Sequence, residues 1–359
     1  MIKVLIVDDS FVMRKLLSDI LNSDSRIEVV SAVKSGDEAI KKIPQLKPDV
    51  VTLDLVMPGL DGFSTLKRVM AECPTPVVIL SAHSKEDADI TIKCLEAGAV
   101  SFVLKPSGEL SLDIDKVKQR LIEEIKIASQ VYRSSLIVSR SKKTKYDSRF
   151  TIHDSRIVVI GASTGGPQTM AAVLSSLPFD FSPPVIIVQH LPSIEFTQSL
   201  ATRLKRGCGL NVKVAEDNEI IESKNIYLVP GGYSMVVELS SVVSCQLSEN
   251  TEYGRRNTNI IMRLSKDMPD ALTPSINTTM KSVAEIYKEK AIGIILTGMG
   301  NDGTEGMRAI KNSGGKTLVQ DESSLIFGMP KEVIDQGCAD SVLPAEKIAG
   351  KIVELVYSV

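Results

Sequence analysis

Short β-rich apolar runs alternate with segments of helical periodicity, and this alternation occurs in two successive blocks of the chain. In the first block, residues 1 to about 125, the predicted strands are Lys3–Val7, Ile27–Val33, Val50–Leu53, Val77–Leu80 and Ser101–Leu104. Helical periodicity lies between them, for example over Phe11–Leu21 and Phe63–Cys73, and a last helix is predicted from Leu112 to about Arg133. Such alternation predicts a parallel sheet with helices on both faces.

The second block begins at Arg156 and follows the same plan. Its predicted strands include Arg156–Ile160, Val185–Gln189, Asn225–Leu228 and Ala291–Leu296. Its predicted helices include Gln168–Leu177, Thr197–Lys205, Ile276–Tyr287, Thr304–Ser313 and Ala345–Leu355. A hairpin is predicted around Met235–Leu247. The fold class is therefore α/β, with a five-stranded parallel domain and a larger, mostly parallel, Rossmann-like domain that carries an inserted hairpin.

A Ser-rich, basic segment from Ser134 to Arg149 separates the two blocks. It has no sustained apolar period, so we interpret it as a solvated tether in preference to a basic docking site. A chain of 359 residues is also too long for one typical core. We therefore predict domains at residues 1–125 and 152–359, joined by a linker at 126–151.

The net charge, the length of the apolar runs and the cysteine spacing argue against several classes of protein. The formal net charge of -2 gives no electrostatic reason to expect nucleic acid as a partner, and no helix-turn-helix pattern follows the tether. No apolar run approaches the roughly 20 residues of a membrane span, and the apolar N-terminus turns acidic too soon for a signal peptide. The five cysteines are scattered, which favours reduced thiols in a cytoplasmic protein.

Three carboxylates follow predicted strands in the first block. Asp8 and Asp9 come after the first strand and Asp54 after the third, and parallel strands carry function at their carboxyl ends. Clustered carboxylates repel one another unless a hard cation such as Mg²⁺ lies between them. Ser81 and Lys105 end the fourth and fifth strands, where a hydroxyl and an ammonium could contact anionic oxygens on Asp54. Pro106 after Lys105 indicates a fixed turn and is a candidate for a cis bond.

These residues resemble the response-regulator receiver domain over about residues 1–125. The matching motifs are Asp8-Asp9, Asp54, Met57-Pro58-Gly59-Leu60-Asp61-Gly62, Ser81-Ala82 and Lys105-Pro106. The resemblance implies that Asp54 is the phospho-acceptor. It also implies that Asp8, Asp9, Asp54 and the backbone carbonyl of Val56 hold Mg²⁺.

The same resemblance implies a signalling route inside the domain. Ser81 and Lys105 would be the phosphate-sensing groups, and Phe102 occupies the position of the aromatic side chain that changes rotamer in the family. Phosphorylation would add roughly -1.5 to -2 charges at Asp54, as for hydroxyl phosphoesters. A switch of this kind needs an output, and the second block is the candidate.

The first strand of the second block runs into a glycine-rich turn, Gly161-Ala162-Ser163-Thr164-Gly165-Gly166-Pro167. A dinucleotide fingerprint would need a bare backbone where Ser163 stands, which counts against nucleotide binding. A nucleophile turn would present a serine hydroxyl at a helix N-terminus, where helix N–H groups favour an oxyanion. A purely structural turn stays open at this point.

A nucleophilic serine needs a base, and the chain has three histidines. His83 belongs to the first block and His153 lies in or near the tether. His190 follows the strand Val185–Gln189, at the sheet edge predicted for Ser163. Asp302 follows another predicted strand and could orient His190, although Asn-Asp-Gly is also ordinary turn chemistry. The order Ser163, His190, Asp302 differs from that of α/β-hydrolases.

With these residues in place, nearly the whole chain resembles the chemotaxis protein-glutamate methylesterases. The matching motifs are Gly161–Pro167, Gln189-His190-Leu191-Pro192, Val229-Pro230-Gly231-Gly232, Leu296–Gly303 and Phe327-Gly328-Met329-Pro330. The resemblance implies Ser163 as nucleophile, His190 as base, Asp302 as its orienter and the Met299 backbone N–H as an oxyanion donor. The family usually has a histidine near Ser234 and an aspartate near Asn277, and neither departure is at a triad position.

The resemblance also supplies a substrate and partners. It implies hydrolysis of γ-glutamyl methyl esters on the cytoplasmic helices of chemoreceptors, with methanol as product, and deamidation of selected receptor glutamines. A chemotaxis histidine kinase would donate the phosphate, Mg²⁺ would serve the receiver domain, and the esterase domain would need no cofactor. A cytoplasmic monomer that meets the membrane only through receptors is expected. The alternative is a receiver that controls a non-enzymatic ligand-binding domain.

Overall fold

The computed structural model describes residues 1–82, 84–105, 113–131, 156–241, 258–266 and 273–357. Most of the predicted tether, together with His83, Pro106 and His153, lies outside these residues. No helix among them is long and apolar enough to cross a membrane.

The first sheet has five parallel strands in the order β2-β1-β3-β4-β5. The strands are β1 Ile2–Val7, β2 Ile27–Val33, β3 Val50–Asp54, β4 Val77–Ser81 and β5 Ser101–Leu104. The helices are α1 Phe11–Asn22, α2 Gly36–Leu46, α3 Gly62–Glu72, α4 Lys85–Glu96 and α5 Asp113–Ser129. The predicted parallel α/β sheet is confirmed, and its strand ends lie within one residue of the predicted positions. The sheet and its helices are called the N-terminal unit below.

The second sheet has seven parallel strands in the order β14-β13-β12-β6-β7-β9-β8. The strands of this unit are β6 Ile157–Ala162, β7 Val185–Gln189, β8 Asn211–Val214, β9 Asn225–Leu228, β10 Ser234–Ser241, β11 Thr258–Ser265, β12 Ala291–Ile295, β13 Lys316–Gln320 and β14 Ser341–Leu343. The helices are α6 Gly166–Ser175, α7 Ile194–Cys208, α8 Ile276–Tyr287, α9 Thr304–Asn312, α10 Met329–Asp335 and α11 Ala345–Tyr357. This C-terminal unit is the predicted larger Rossmann-like domain.

Strands β10 and β11 form the inserted hairpin as a separate two-stranded antiparallel sheet. The register runs from Ser234 opposite Ser265 to Ser241 opposite Thr258. The second strand therefore lies later in the chain than the predicted range Met235–Leu247. Local alternation indicates a strand but not its partner, because pairing is decided by contacts distant in sequence.

Two glycine turns place loops at the carboxyl edge of the second sheet. Gly165 precedes α6 with a φ of 79°, and Gly303 precedes α9 with a φ of 100°. Glycine adopts this left-handed region without the steric cost that a Cβ imposes. Each turn brings the chain from a buried strand into a helix within a few residues, which holds the intervening side chains at the sheet edge.

The two units contact each other through helices and one strand end. Helix α4 packs against α6 and α7. The Gln168 side-chain amide donates to the Leu95 carbonyl, and Arg203 Nε lies 2.8 Å from Glu96 Oε2. On β5, Phe102 stacks on Phe196 of α7. The N-terminal unit therefore sits over the edge of the second sheet where β6 and β7 end.

Candidate active site

The three predicted carboxylates meet at the edge of the first sheet. Asp8 and Asp54 are buried, with 0% and 4% of their surfaces exposed, whereas Asp9 is exposed. One carboxylate oxygen of each lies within 4.8 Å of the others. Carboxylate oxygens at this spacing suit a hard divalent cation with oxygen ligands. The donor set of Asp8, Asp9 and Asp54 therefore fits Mg²⁺.

Lys105 lies beside this cluster. Its Nζ is 2.8 Å from Asp54 Oδ1 and 3.1 Å from Asp8 Oδ2. Burial and the nearby charge of Asp8 raise the pKa of Asp54, although Lys105 acts to lower it. Burial would lower the pKa of Lys105, but its bonds and charge interactions with Asp54 and Asp8 outweigh burial and raise that pKa. The Lys105 ammonium therefore stays protonated beside the carboxyl groups of Asp54 and Asp8.

Ser81 is fully buried at the end of β4. Its Oγ accepts a hydrogen bond from Thr91 Oγ1 at 2.8 Å and donates to the Ala82 carbonyl at 3.2 Å. Thr91 belongs to α4, and the sequence interpretation did not single it out. Ser81 thus links the acidic cluster's sheet edge to the helix that packs on the C-terminal unit. Val56 lies in the loop after β3, where its backbone N–H donates to Asp54 Oδ1 at 3.3 Å.

At the edge of the second sheet, His190 and Asp302 form a hydrogen-bonded pair. His190 Nε2 lies 2.9 Å from Asp302 Oδ2, and the exposed fraction of the Asp302 surface is 5%. The backbone N–H groups of Ile276 and Asn277 donate to the two carboxylate oxygens at 2.8 and 2.9 Å. Burial acts to raise the pKa of Asp302, but His190 and these two donors outweigh it and hold the pKa below its usual value. Asp302 is therefore ionised and oriented toward His190.

Ser163 lies in the turn that follows β6, next to the strand that leads to His190. The register places Ala162 opposite Gln189, so the residues after them are neighbours. The Ser163 backbone N–H donates to the Thr297 carbonyl at 3.0 Å. Its Oγ makes no hydrogen bond within the described part of the chain. A nucleophile-to-base hydrogen bond is often absent from a ligand-free site and forms only with substrate.

The loop after β12 approaches the Ser163 turn closely. A Cβ at Gly298 would lie 2.8 Å from Ser163 Cβ, so only glycine fits there. Met299 follows, with 46% of its surface exposed, and its backbone N–H has no partner among the described residues. An unpaired N–H beside a serine can donate to an oxyanion.

Several residues that order this site escaped the sequence interpretation. Thr297 Oγ1 donates to the Thr164 carbonyl at 2.9 Å and accepts from the Ile326 N–H at 2.9 Å. Asn277 Oδ1 accepts from the N–H groups of Gly303 and Gly306, at 3.0 and 2.8 Å. Asn277 therefore caps α9 beside Asp302, a local role that its departure from the family pattern did not suggest. The available signal for Thr297 was its position just after strand β12, whereas Asn277 lies in the first turn of α8 and carried no such signal.

The N-terminal unit covers Ser163. Phe102, Arg120 and Glu124 line the same cavity as Ser163 and His190, and its volume is about 20 Å³. A cavity of this size holds about one water molecule. Glu124 has 4% of its surface exposed, burial raises its pKa, and its Oε1 lies 2.9 Å from Arg120 Nε. A wider cavity of about 270 Å³ continues past His190, between Phe102 and Pro192.

Family comparison agrees with this two-part arrangement. The model of the CheB methylesterase family matches residues 158–352, and that of the response regulator receiver domain matches residues 4–114. The chain belongs to the CheB methylesterase family. The family resemblance seen in the sequence is thereby confirmed. The methylesterase match contains Ser163, His190 and Asp302, and the receiver match contains Asp54 and Lys105.

Individual relatives span the whole CheB-type chain. The protein-glutamate methylesterase/protein-glutamine glutaminase of Halalkalibacterium halodurans is 41% identical over 98% of this chain and 97% of its own length. The protein of the same name from Thermotoga maritima is 41% identical over 99% of this chain and 98% of its own. The crystal structure of the Thermotoga maritima CheB methylesterase catalytic domain covers 57% of this chain and 100% of that domain, with 40% identity and a TM-score of 0.50.

Proposed function

We propose that this protein is a serine esterase that removes methyl groups from γ-glutamyl methyl esters of chemoreceptors, under the control of its receiver domain. The observation that carries the proposal is the 2.9 Å contact between His190 Nε2 and Asp302 Oδ2 at the sheet edge that bears Ser163. A buried carboxylate behind a histidine favours the protonated ring that forms during serine catalysis. The relatives' name, protein-glutamate methylesterase, supports the substrate class.

The chemistry follows from the donors and acceptors present. Because Asp302 holds Nε2 of His190, Nδ1 is the nitrogen that accepts the Ser163 proton. Ser163 Oγ forms a bond to the ester carbonyl carbon, and the Met299 N–H donates to the developing oxyanion. Loss of such a donor costs roughly 10²–10³-fold in rate. His190 then returns the proton to the departing methoxide, which leaves as methanol.

The acyl-enzyme is released by water. His190 takes a proton from water, the hydroxyl bonds to the acyl carbon, and Ser163 Oγ leaves with the proton. The product is a glutamate side chain on the receptor. A primary amide passes through the same acyl intermediate with ammonia as leaving group, so we include deamidation of selected receptor glutamines. The glutaminase part of the relatives' name supports this second activity.

The receiver domain supplies the control. Asp54 is proposed as the phospho-acceptor, with Asp8, Asp9, Asp54 and the Val56 carbonyl as Mg²⁺ ligands and Ser81 and Lys105 as phosphate-sensing groups. Bound Mg²⁺ would offset the negative charge of the phosphoryl group and of the acids around it. Lys105, already 2.8 Å from Asp54 Oδ1, would donate to a phosphoryl oxygen. A chemotaxis histidine kinase is the proposed phosphate donor.

Control operates through access to Ser163. With the N-terminal unit in place, the cavity at Ser163 is too small for a glutamyl ester side chain. Phosphorylation of Asp54 would draw Ser81 and Lys105 toward the phosphate, and Ser81 is hydrogen-bonded to α4, which packs on α6 and α7. The closed contact would then loosen and expose the cavity. The tether keeps the receiver at a high local concentration, so closure recovers after dephosphorylation.

The decisive experiment measures methanol release from methylated receptors by the full-length protein, with and without acetyl phosphate. Wild type should release methanol faster with acetyl phosphate, and Ser163→Ala should release none while keeping the circular dichroism of wild type. A fluorophosphonate probe should label wild type but not Ser163→Ala. Wild-type turnover by Ser163→Ala would overturn the proposal, and tight dinucleotide binding without labelling would favour a non-enzymatic output domain.

A further inference from the structure

Gln189 lies next to both the candidate nucleophile and the candidate base but takes no part in the proposed chemistry. It ends β7, has 4% of its surface exposed, and directly precedes His190. The parallel register places it opposite Ala162, the residue before Ser163. The His190 backbone N–H donates to the Ala162 carbonyl at 3.1 Å. Gln189 and Ala162 thus form the last pair of the β6–β7 ladder, directly before His190 and Ser163.

Its side-chain amide bridges the two strand ends. Gln189 Nε2 lies 2.9 Å from the Ser163 carbonyl oxygen and 3.3 Å from the His190 carbonyl oxygen. Carbonyl oxygens only accept hydrogen bonds, so the NH₂ group and not the oxygen must face them. One amide group therefore donates to the backbone of both the nucleophile and the base.

The packing around the Gln189 amide indicates that the role of this side chain is to donate these two hydrogen bonds. Gln189 Oε1 is buried and has no hydrogen-bond partner among the described residues. Leaving an acceptor unpaired is unfavourable, so an apolar side chain would fill this space at lower cost. A Cβ on Gly166 would lie 1.9 Å from Oε1, and the Gly166 N–H donates to the Ser163 carbonyl at 2.8 Å. The first residue of α6 therefore has to be small for the amide to reach Ser163.

We propose that Gln189 is a positioning residue that sets the distance between Ser163 Oγ and the His190 ring. This inference rests on the proposed function. Ser163 and His190 follow different strands, and their side chains share no hydrogen bond. Their alignment therefore depends on the backbone bridge at their strand ends. Because a displacement of about 1 Å can cost roughly 10²-fold in rate, we expect Gln189→Leu to lower kcat roughly 10–100-fold. KM should change less than kcat, since Gln189 has 4% of its surface exposed and its amide donates to the backbone of Ser163 and His190.

The test uses full-length protein with acetyl phosphate and compares Gln189→Leu, Gln189→Glu and wild type. The matched control is Gln45→Leu, which changes an exposed glutamine on α2 and should leave kcat unchanged. Methanol release gives kcat and KM, and fluorophosphonate labelling gives the reactivity of Ser163 as a function of pH. Circular dichroism monitors folding.

The Gln189→Glu variant supplies a measurement that would not depend on pH if Gln189 had only a structural role. An ionised carboxylate has no donor and would face two carbonyl oxygens, whereas its protonated form regains one O–H donor. Burial and these carbonyls should raise the pKa of the introduced acid. Besides His190, the charged side chains that line the cavity at Ser163 are Arg120 and Glu124, which are paired with each other. The ratio of the Gln189→Glu labelling rate to the wild-type rate should therefore rise as the pH falls from about 8 to about 6. The ratio for Gln189→Leu should stay constant.

Two results would overturn the proposal: Gln189→Leu with the kcat of wild type, or a Gln189→Glu ratio that does not depend on pH. The pH dependence of the Gln189→Glu ratio tests the proposal even if Gln189→Leu fails to fold, because that measurement does not use Gln189→Leu. Failure of the proposed function is a separate outcome, since wild type would then leave Ser163 unlabelled. If wild type labels Ser163 and Gln189→Leu labels it equally fast, only the role of Gln189 is excluded.

Discussion

The ring of Phe102 stacks on the ring of Phe196, with centroids 4.9 Å apart and planes 13° from parallel. Phe102 lies on β5, three residues before Lys105, which contacts Asp54. Phe196 lies on α7, six residues after His190, and has 2% of its surface exposed. One aromatic contact thus joins the strand that ends at the receiver's acidic cluster to the helix that follows the candidate base.

Phe102→Ala should raise methanol release in the absence of a phosphate donor. Stacked aromatic pairs contribute about 0.5–1.5 kcal/mol beyond their buried area. A loss of this size would shift the closed-to-open equilibrium about 2–10-fold toward the open form. Phe179→Ala is the control, because Phe179 is 85% exposed and should leave the rate as it is. An unstimulated rate equal to that of wild type would show that this stack does not hold the receiver in place.

Removal of divalent metal should affect the stimulated rate of methanol release but not the unstimulated rate. Excess EDTA should abolish stimulation by acetyl phosphate, since the acidic cluster of Asp8, Asp9 and Asp54 fits a divalent cation. The unstimulated rate should not change, because the proposed nucleophile Ser163, base His190 and orienting acid Asp302 need no metal. Both rates are measured as methanol release, and added Mg²⁺ should restore the stimulation. A fall in the unstimulated rate would contradict a metal-free esterase site.

Asp302→Asn should lower kcat roughly 10³–10⁴-fold, because an amide neither stabilises the protonated ring nor holds the required tautomer of His190. It should also destabilise the fold, since one amide NH₂ would face a donor from Ile276 or Asn277. Methanol release and urea unfolding measure the two effects.

The Asp302 contribution to stability has a defined pH dependence. Its pKa is lower in the folded protein than its ordinary value near 3.8. Its contribution is therefore fully present above the unfolded pKa and disappears as the pH falls through the folded one. The difference in unfolding free energy between wild type and Asp302→Asn should be constant near neutral pH and shrink below about pH 4. A difference that grows in acid would mean that Asp302 is not ionised in the folded protein.

Gly166→Ala and Gly207→Ala form a matched pair of glycine substitutions in helices. A Cβ at Gly166 would lie 1.9 Å from Gln189 Oε1, whereas nothing lies within 4 Å of one at Gly207. Gly166→Ala should displace the Gln189 amide and reduce both the unfolding free energy and Ser163 labelling. Gly207→Ala should stabilise the protein by about 0.5–1 kcal/mol, because alanine loses less backbone entropy in a helix. Urea unfolding of both variants checks this, and equal stabilities would refute it.

Much of the fold could be predicted because its signals are local. Buried parallel strands such as β7 and β9 are short apolar runs, and their observed limits match the predicted ones. Helix α8 also matches the prediction at both ends, where Ser275 caps its start. The sequence analysis did not name strands β8, β13 and β14, and it placed the partner of β10 too early in the chain, since the second strand of the hairpin is Thr258–Ser265. Strand pairing depends on contacts between residues distant in sequence, which periodicity does not report.

The sequence by itself determined the two α/β blocks, the carboxylates around Asp54, and the placement of Ser163 and His190 after buried strands that end at one edge of a sheet. These follow from side-chain periodicity and from the rule that parallel strands expose their carboxyl ends at one edge. Only the tertiary structure decided that Phe102 stacks on Phe196, that Glu124 is buried beside Ser163, and that Gln189 bridges the two strand ends. The first two relationships arise where the two units pack together, and the third where neighbouring strands of one sheet end. Side-chain contact depends on distance in space and not on spacing along the chain.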